Sequence, residues 1–334
     1  MRLFTSSVRA LILAGLLAFA GVPEEARAGY ALSSNGQLLA PGGRLLMPSE
    51  SYAATVFYDA DAATFLANAG IPNTSAVMYA GTAYETTGAV IHQAIHRFVV
   101  EAKACGGWDT KQVIYPFVGG TDTAHRLNLK NPVVSNAAFA LTYVGGTLSH
   151  SGRGMAANGT SQWADTNWSP NANVTQATGI SACLYGTGPV TPTDKYAFGS
   201  YHDSSRGLFI GPHNSTSGGV VFYGAYGAQP GTASTTAHRC VMLTRQGGTP
   251  NSVLYPYSNG VLMGSGTPTA TAHAVPPTPN VTIGVLNLSS GEKYGYYEGF
   301  IGYLDLGTAM PVAIAWPMYV AVHTLQTTLK RQHA

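Results

Sequence analysis

The chain has 334 residues and a net charge of +2, with 45% of positions hydrophobic and 10% charged. That length suits one large β domain with a smaller appendage, or two domains, and the apolar content excludes a globally disordered chain. So little charge leaves no concentrated basic patch, which excludes a nucleic-acid partner held through its phosphates.

Forty glycines and nineteen prolines stand where charge is missing. Thr, Ser, Asn and Tyr accompany them, the surface chemistry of a β-rich extracellular or assembly protein. Cys105, Cys183 and Cys240 are too few and too scattered for a disulfide framework or a zinc site. They are expected as three separate buried thiols packing as small hydrophobes. A Cys183–Cys240 pair between strands is the alternative in an oxidising compartment.

Residues 1–28 read as a secretory signal. Arg2 and Arg9 charge the start, Leu11 to Val22 form an apolar run, and Ala26-Arg27-Ala28 supplies a small-x-small cleavage site. The run is too short to span a bilayer, so the mature chain is expected to have no membrane span. Residues 29–57, rich in Gly, Ser and Pro, read as an extended lead-in.

Residues 58–112 read as a helical collar. Asp59 or Asp61 can cap a first helix carrying Phe65 and Leu66, which Gly70 and Pro72 end. A longer helix begins near Thr87, with Ile91, Ile95, Phe98 and Val99 at three-and-four spacing, and stops at Gly106-Gly107. His92 and His96 stand one turn apart on it. Gln93 occupies the position where a zinc protease helix requires Glu, and no third ligand is near, so the two are expected to be solvated or hydrogen-bonded.

From Phe139 onward, short apolar or alternating runs follow one another, each bounded by Gly, Pro or Asn turns. They carry no fixed repeat, which leaves two packed antiparallel sheets, a sandwich or jelly roll. Asn259-Gly260 fits the type I′ turn of a hairpin. A final helix over 311–331 presents Ala315, Met318, Val322, Leu325 and Leu329 on one face, with Lys330 and Arg331 suited to the negative end of its dipole. Within 113–132, Tyr115, Pro116 and Phe117 are expected to close the collar onto the sandwich, and Gly119-Gly120 to permit the turn.

Several stretches in fixed order carry a family resemblance: DADAATFLANAGI, GGWDTK, IYPFVGGTDTAHRLNLKNP, AAFALTYVGGTLSHSGRGMAANGTSQWADT, GFIGYLDLGTAMP and YVAVHTLQTTLKRQ. Together they resemble the concanavalin A-like, LamG-type jelly-roll modules of tailed-phage virion proteins and related prophage or bacterial surface proteins. The resemblance covers roughly residues 58–334. It implies a mainly β, concanavalin A-like sandwich over 113–334 with a helical N-terminal segment and a C-terminal helix. It also implies a non-enzymatic structural or adhesive role on a virion or cell surface, with other virion proteins or a cell-surface glycan as partners. The low charge and the apolar lead-in Leu38 to Met47 add the expectation of a homo-oligomer. A secreted carbohydrate-binding protein is the alternative, periplasmic or extracellular after signal cleavage. A polysaccharide hydrolase or lyase comes third.

Glycosidases need two carboxylates facing one cleft. Past residue 130 the acids are Asp165, Asp194, Asp203, Glu292, Glu298 and Asp305, and no two alternate on one strand. No Gly-x-Ser-x-Gly elbow or phosphate loop is present, and Ser149-His150 has no partner acid nearby in sequence. No catalytic residue is therefore assigned. The binding candidates are aromatics in polar loops: Trp163 and Trp168, with Asp165 and Asn167 between them, and Tyr201. Rings beside hydrogen-bonding groups are what a sugar face requires; alternatively, one tryptophan anchors the core and the other covers a sheet edge. Asp165 and Asn167 are also candidate oxygen donors to Ca²⁺, as in many LamG-like modules.

Overall fold

The computed structural model describes residues 57–133, 138–187, 195–204, 206–211, 240–247, 253–262 and 276–331, and the backbone of 31–32, 38–40, 44–45, 220–223, 226–228 and 239. The signal-like segment 1–28 lies outside the described residues. The chain forms two compact units, 1–56 and 57–334. In the first, the expected extended lead-in pairs with itself. Strands β1 (Ala31–Leu32), β2 (Leu38–Ala40) and β3 (Arg44–Leu45) make a three-stranded antiparallel meander.

The second unit begins with helices. Asp59 caps α1 (Ala60–Asn68) by accepting from the amides of Asp61 and Ala62, and buries Phe65 and Leu66. A short hairpin, β4 (Val77–Met78) with β5 (Thr86–Thr87), leads to α2 (Gly88–Ala104). Thr87 caps α2 through the Val90 amide, and Gly106, at φ 77°, turns the chain into α3 (Gly107–Thr110). The two histidines of α2 serve the backbone: His92 bonds the Ile71 carbonyl and His96 accepts from the Asp59 amide.

The sandwich opens with a strand that lies ahead of the short runs read from Phe139 onward. β6 (Lys111–Tyr115) follows α3 directly, and α4 (Asp122–Arg126) follows β6. The first sheet runs β15 (Tyr226–Ala228), β14 (Val220–Tyr223), β13 (Arg206–Gly211), β12 (Phe198–Asp203), β19 (Thr282–Ile283), β10 (Trp163–Asp165) and β7 (Thr142–Val144). β20 (Leu286–Leu288) adds to β12 and pairs with β21 (Lys293–Tyr294). The second sheet runs β18 (Val261–Leu262), β17 (Leu254–Ser258), β16 (Arg239–Arg245), β11 (Ile180–Thr187), β22 (Phe300–Gly307), β9 (Gly154–Ala156) and β8 (Ser149–Ser151). β6 pairs with β22 beyond β9. Asn259 and Gly260 turn the β17–β18 hairpin with φ of 49° and 78°, as a type I′ turn requires. The fold is thus the expected antiparallel β-sandwich of the jelly-roll class, with helices at both ends of the unit's sequence.

Alternation along the strands divides the interior in two. Ala182, Leu184, Val241, Leu243, Leu304 and Leu306 point between the sheets to meet Ala164, Phe198, Leu208, Ile210 and Ile283. Cys183, Tyr185, Cys240, Met242 and Tyr303 point the other way, under Phe98 and Val99 of α2 and Met318, Val322 and Leu325 of α5 (Val312–Thr328). The second sheet is covered on both faces, which is why all eight residues of β11 are buried.

This division corrects three expectations. Tyr115 and Phe117 do not join the helices to the sandwich; they fall on the inter-sheet side, and Ile114 and Val118 meet the helical layer. Cys183 and Cys240 are not separate: their Sγ atoms lie 3.6 Å apart on neighbouring strands as free thiols, while Cys105 is half-buried. Arg331 is no exposed dipole partner. It is 1% exposed and donates to the carbonyls of Gly152, Pro116, Gly302 and Phe117, while Lys330 beside it stays exposed. Burial lowers the Arg331 pKa to about 10.

Candidate functional site

β10 positions the site. Ala164 is wholly buried between the sheets, so Trp163 and Asp165 face outward, both half-buried. The preceding loop is fixed by one side chain: Asn158 Oδ1 accepts from the amides of Thr160, Ser161 and Gln162 at 2.9–3.0 Å. Gly145 lets β7 approach that loop, because a Cβ there would lie 2.0 Å from the Ser161 carbonyl oxygen. After β10, Asp165 Oδ1 accepts from the Asn167 amide at 2.7 Å, and Asn167 takes the left-handed conformation at φ 55°. The Asn167 side chain closes the turn, donating to the Ala140 carbonyl and to Thr142 Oγ1.

A second segment, far off in sequence, completes the surface. The Lys293 ammonium on β21 sits 4.7 Å from the centre of the Trp163 ring, within cation–π range. It donates to Asn287 Oδ1 at 2.9 Å and to the Gly291 carbonyl at 3.0 Å. Asn287 Nδ2 donates to the Asn280 carbonyl, and Asn280 Nδ2 reaches Asp165 Oδ2 at 3.4 Å. Burial lowers the Lys293 pKa, and the Asp165 carboxylate pulls it back up. The outward face therefore carries an indole, an ammonium, the Asn280 carboxamide and a carboxylate, joined in one network by the Asn287 carboxamide buried beneath them. The ammonium has a third donor, and the carboxylate has acceptor positions beyond the two in use.

Trp163, Asp165 and Asn167 come together as the sequence suggested. Trp168 does not join them. It is 0% exposed, lies in the inter-sheet core and donates its indole N–H to Gln112 Oε1 at 2.7 Å, so it anchors the core and offers no ring to a ligand. Tyr201 lies on β12 opposite Leu288, and no hydrogen bond or ring contact joins it to Trp163 among the described residues. Asp165 and Asn167 are engaged in their turn, and the Asn167 amide nitrogen points at oxygen acceptors. No group of three or more His, Cys, Asp or Glu placed to hold a metal occurs among the described residues. The sequence reading missed Lys293, Asn287 and Asn280. Nothing local marks the two asparagines, and nothing local ties Lys293 to a tryptophan 130 positions earlier.

Among the described residues, the other acids past 130 are held in structural contacts or stand apart. Asp305 is buried against Lys111, Asp203 is paired with Arg206, Glu292 accepts from the Ser290 hydroxyl in the turn before β21, and Glu298 is exposed just before β22. No helix among the described residues is long and apolar enough to cross a membrane.

No protein-family model and no curated protein matches the chain. Among solved structures it is similar to domain 4 of an extracellular arabinanase from Geobacillus stearothermophilus, in complex with arabinotriose. That match has 15% identity and a TM-score of 0.40, over 62% of this chain and 97% of that one. It is also similar to the sialidase of Trypanosoma rangeli, at 12% identity and a TM-score of 0.41 over 70% of this chain. This chain spans 39% of the length of that sialidase. At these scores the likeness carries no functional inference.

Proposed function

We propose that the chain is a non-enzymatic structural and adhesive protein, exposed on the surface of a phage particle, that contacts host-surface glycan through the outer face around Trp163. The observation that carries the glycan reading is the Trp163–Lys293–Asn287–Asn280–Asp165 network. It combines an aromatic ring with fixed donors and acceptors of the kind sugar hydroxyls use. The low charge and the LamG-type motif order support the surface role. The described acids past residue 130 give no facing pair at the site, which supports binding without hydrolysis.

A glycan array tests the reading. The wild-type chain is expected to bind a subset of glycans, and Trp163→Ala and Lys293→Gln each to weaken that binding at least tenfold. Equal binding by both variants would remove this face from consideration, and release of reducing ends from a bound polysaccharide would overturn the non-enzymatic assignment. Proteomic detection of the chain in purified particles checks the virion placement. The signal-like segment favours a second reading, a secreted lectin using the same face, which recovery of processed chain in culture medium would support.

A further inference from the structure

Beneath the helical layer, on the outward face of the second sheet, lies a buried pair of opposite charges. Lys111 Nζ sits 2.9 Å from Asp305 Oδ1, with the two side chains 1% and 0% exposed. Lys111 opens β6, the first strand of the sandwich, and Asp305 lies on β22, its last strand. The two strands are antiparallel neighbours, with Asp305 opposite Ile114 and Gly307 opposite Lys111 across a bulge. The ring of Tyr303 lies beside the pair, and Phe98 of α2 packs edge-on against it at 5.5 Å.

The polar contacts around this pair are specific. Lys111 Nζ donates to Ser181 Oγ at 2.7 Å, and Ser181 passes its own proton to the Thr308 carbonyl at 2.6 Å. Tyr303 donates its hydroxyl to Asp305 Oδ2 at 2.8 Å. Asp305 Oδ1 accepts no hydrogen bond, although the lysine nitrogen is its close neighbour. The contact is short but lacks the directionality of a hydrogen bond. A buried carboxylate oxygen without a donor, beside a buried ammonium, is an unfavourable arrangement.

One reaction removes both charges and the unpaired oxygen together. We propose that Lys111 and Asp305 condense to an intramolecular amide, which cross-links the first strand of the sandwich to the last. Proton transfer from the ammonium to the carboxylate gives an amine and a carboxylic acid. The nitrogen lone pair attacks Asp305 Cγ and forms the C–N bond; the Cγ–Oδ1 bond breaks, and Oδ1 leaves as water. Both hydrogens of that water come from the lysine nitrogen, which keeps one. The balance is ammonium plus carboxylate giving amide plus water, with no oxidant or reductant.

The fixed contacts suit each stage of this reaction. Lys111 Nζ is held 2.9 Å from the oxygen that leaves, so no diffusional step separates the reacting groups. The Tyr303 hydroxyl is aimed at Oδ2, where negative charge gathers in the tetrahedral intermediate. The covering helices exclude the water that would reverse the step. In the product, the amide N–H keeps Ser181 Oγ and the amide carbonyl keeps the Tyr303 hydroxyl, so every remaining polar atom is satisfied.

Peptide mapping by mass spectrometry tests this on the full chain, folded, then denatured and digested. The expected result is a branched peptide joining the Lys111 and Asp305 segments, lighter than their sum by one water. It should be absent from a Lys111→Met variant. Recovery of both segments only as linear peptides of full mass would overturn the proposal, as would water loss confined to a linear Asp305 peptide, the signature of a succinimide. The wild-type map decides the matter even where the variant does not fold.

Discussion

Leu184 and Cys183 are neighbours on one strand and lie in different interiors. Leu184 points between the sheets, into a cluster of branched aliphatics and aromatics with Trp168 at one end. Cys183 points under the helices, among alanines, methionines, tyrosines and the other buried thiol, beside the Lys111–Asp305 pair. The first interior is bounded on both sides by hydrogen-bonded ladders, so its walls cannot collapse around a lost side chain. The second is roofed by two helices that no hydrogen-bonded ladder joins to the sheet, and it holds the Lys111–Asp305 pair. Rigid packing and the buried ion pair thus lie on opposite faces of one sheet.

That division can be broken from the outside in. The largest effect is expected from Arg331→Ala, which strips donors from the carbonyls of Gly152, Pro116, Gly302 and Phe117 at once. Leaving buried acceptors unpaired predicts a loss of about 3–5 kcal/mol, read from the urea midpoint. Trp168→Ala should cost about 3–5 kcal/mol in the inter-sheet core. The direct comparison is Leu184→Ala against Cys183→Ala. The first is expected to cost about 2–5 kcal/mol and the second about 1, because less volume is lost under a roof that can settle. Equal losses would mean the two interiors are equally rigid.

Acid should act on the edge where α4 meets β8. His125 Nδ1 and His150 Nδ1 are 3.0 Å apart, so one must donate and the other accept. Burial is the main cause that lowers both pKa values; His150 and Arg331 lower that of His125 further, and Asp122 pulls that of His150 upward. As pH falls through about 6.5, the unfolded chain takes up these protons before the folded one does. Their contribution is therefore whole above about pH 6.5 and is lost below it. Melting temperature should drop on acidification from about pH 7 to about pH 5, with a shallower slope in His150→Gln. A slope identical to that of the wild type would place the acid sensitivity elsewhere. The smallest stability effect is expected for Trp163→Ala, about 1 kcal/mol or less, since its ring is half outside and its main partner is one ammonium. Its consequence belongs to binding.

Much of the architecture was legible because it depends on local chemistry. Asp59 and Thr87 cap helices as their side chains dictate, Asn259-Gly260 makes the hairpin, and alternation marks the strands. β6 was missed because KQVIY follows a helix ending in Gly-Gly and reads as a hinge; only its pairing with β22, almost two hundred residues later, makes it a strand. Counting along the chain does separate the two tryptophans. They stand five positions apart, an odd separation, and burial alternates from Trp163 to Trp168 through the left-handed turn at Asn167, so the rule that turns Trp163 outward also turns Trp168 inward; reading the stretch as a polar loop hid this. Lys293 reaches Trp163, and Lys111 reaches Asp305, through strand pairings that no local pattern encodes.

The buried guanidinium of Arg331 also sets a timetable. It is synthesised after every group it holds, and the separation from Phe117 is 214 residues. While the chain emerges, the segment after β6, the turn at Gly152 and β22 are made one after another, and the guanidinium that joins their carbonyls comes last. Contacts of such long sequence separation form late and slowly. Until that residue arrives the sandwich is a nascent chain without its latch, in a state a secretion channel could still thread or a chaperone still hold.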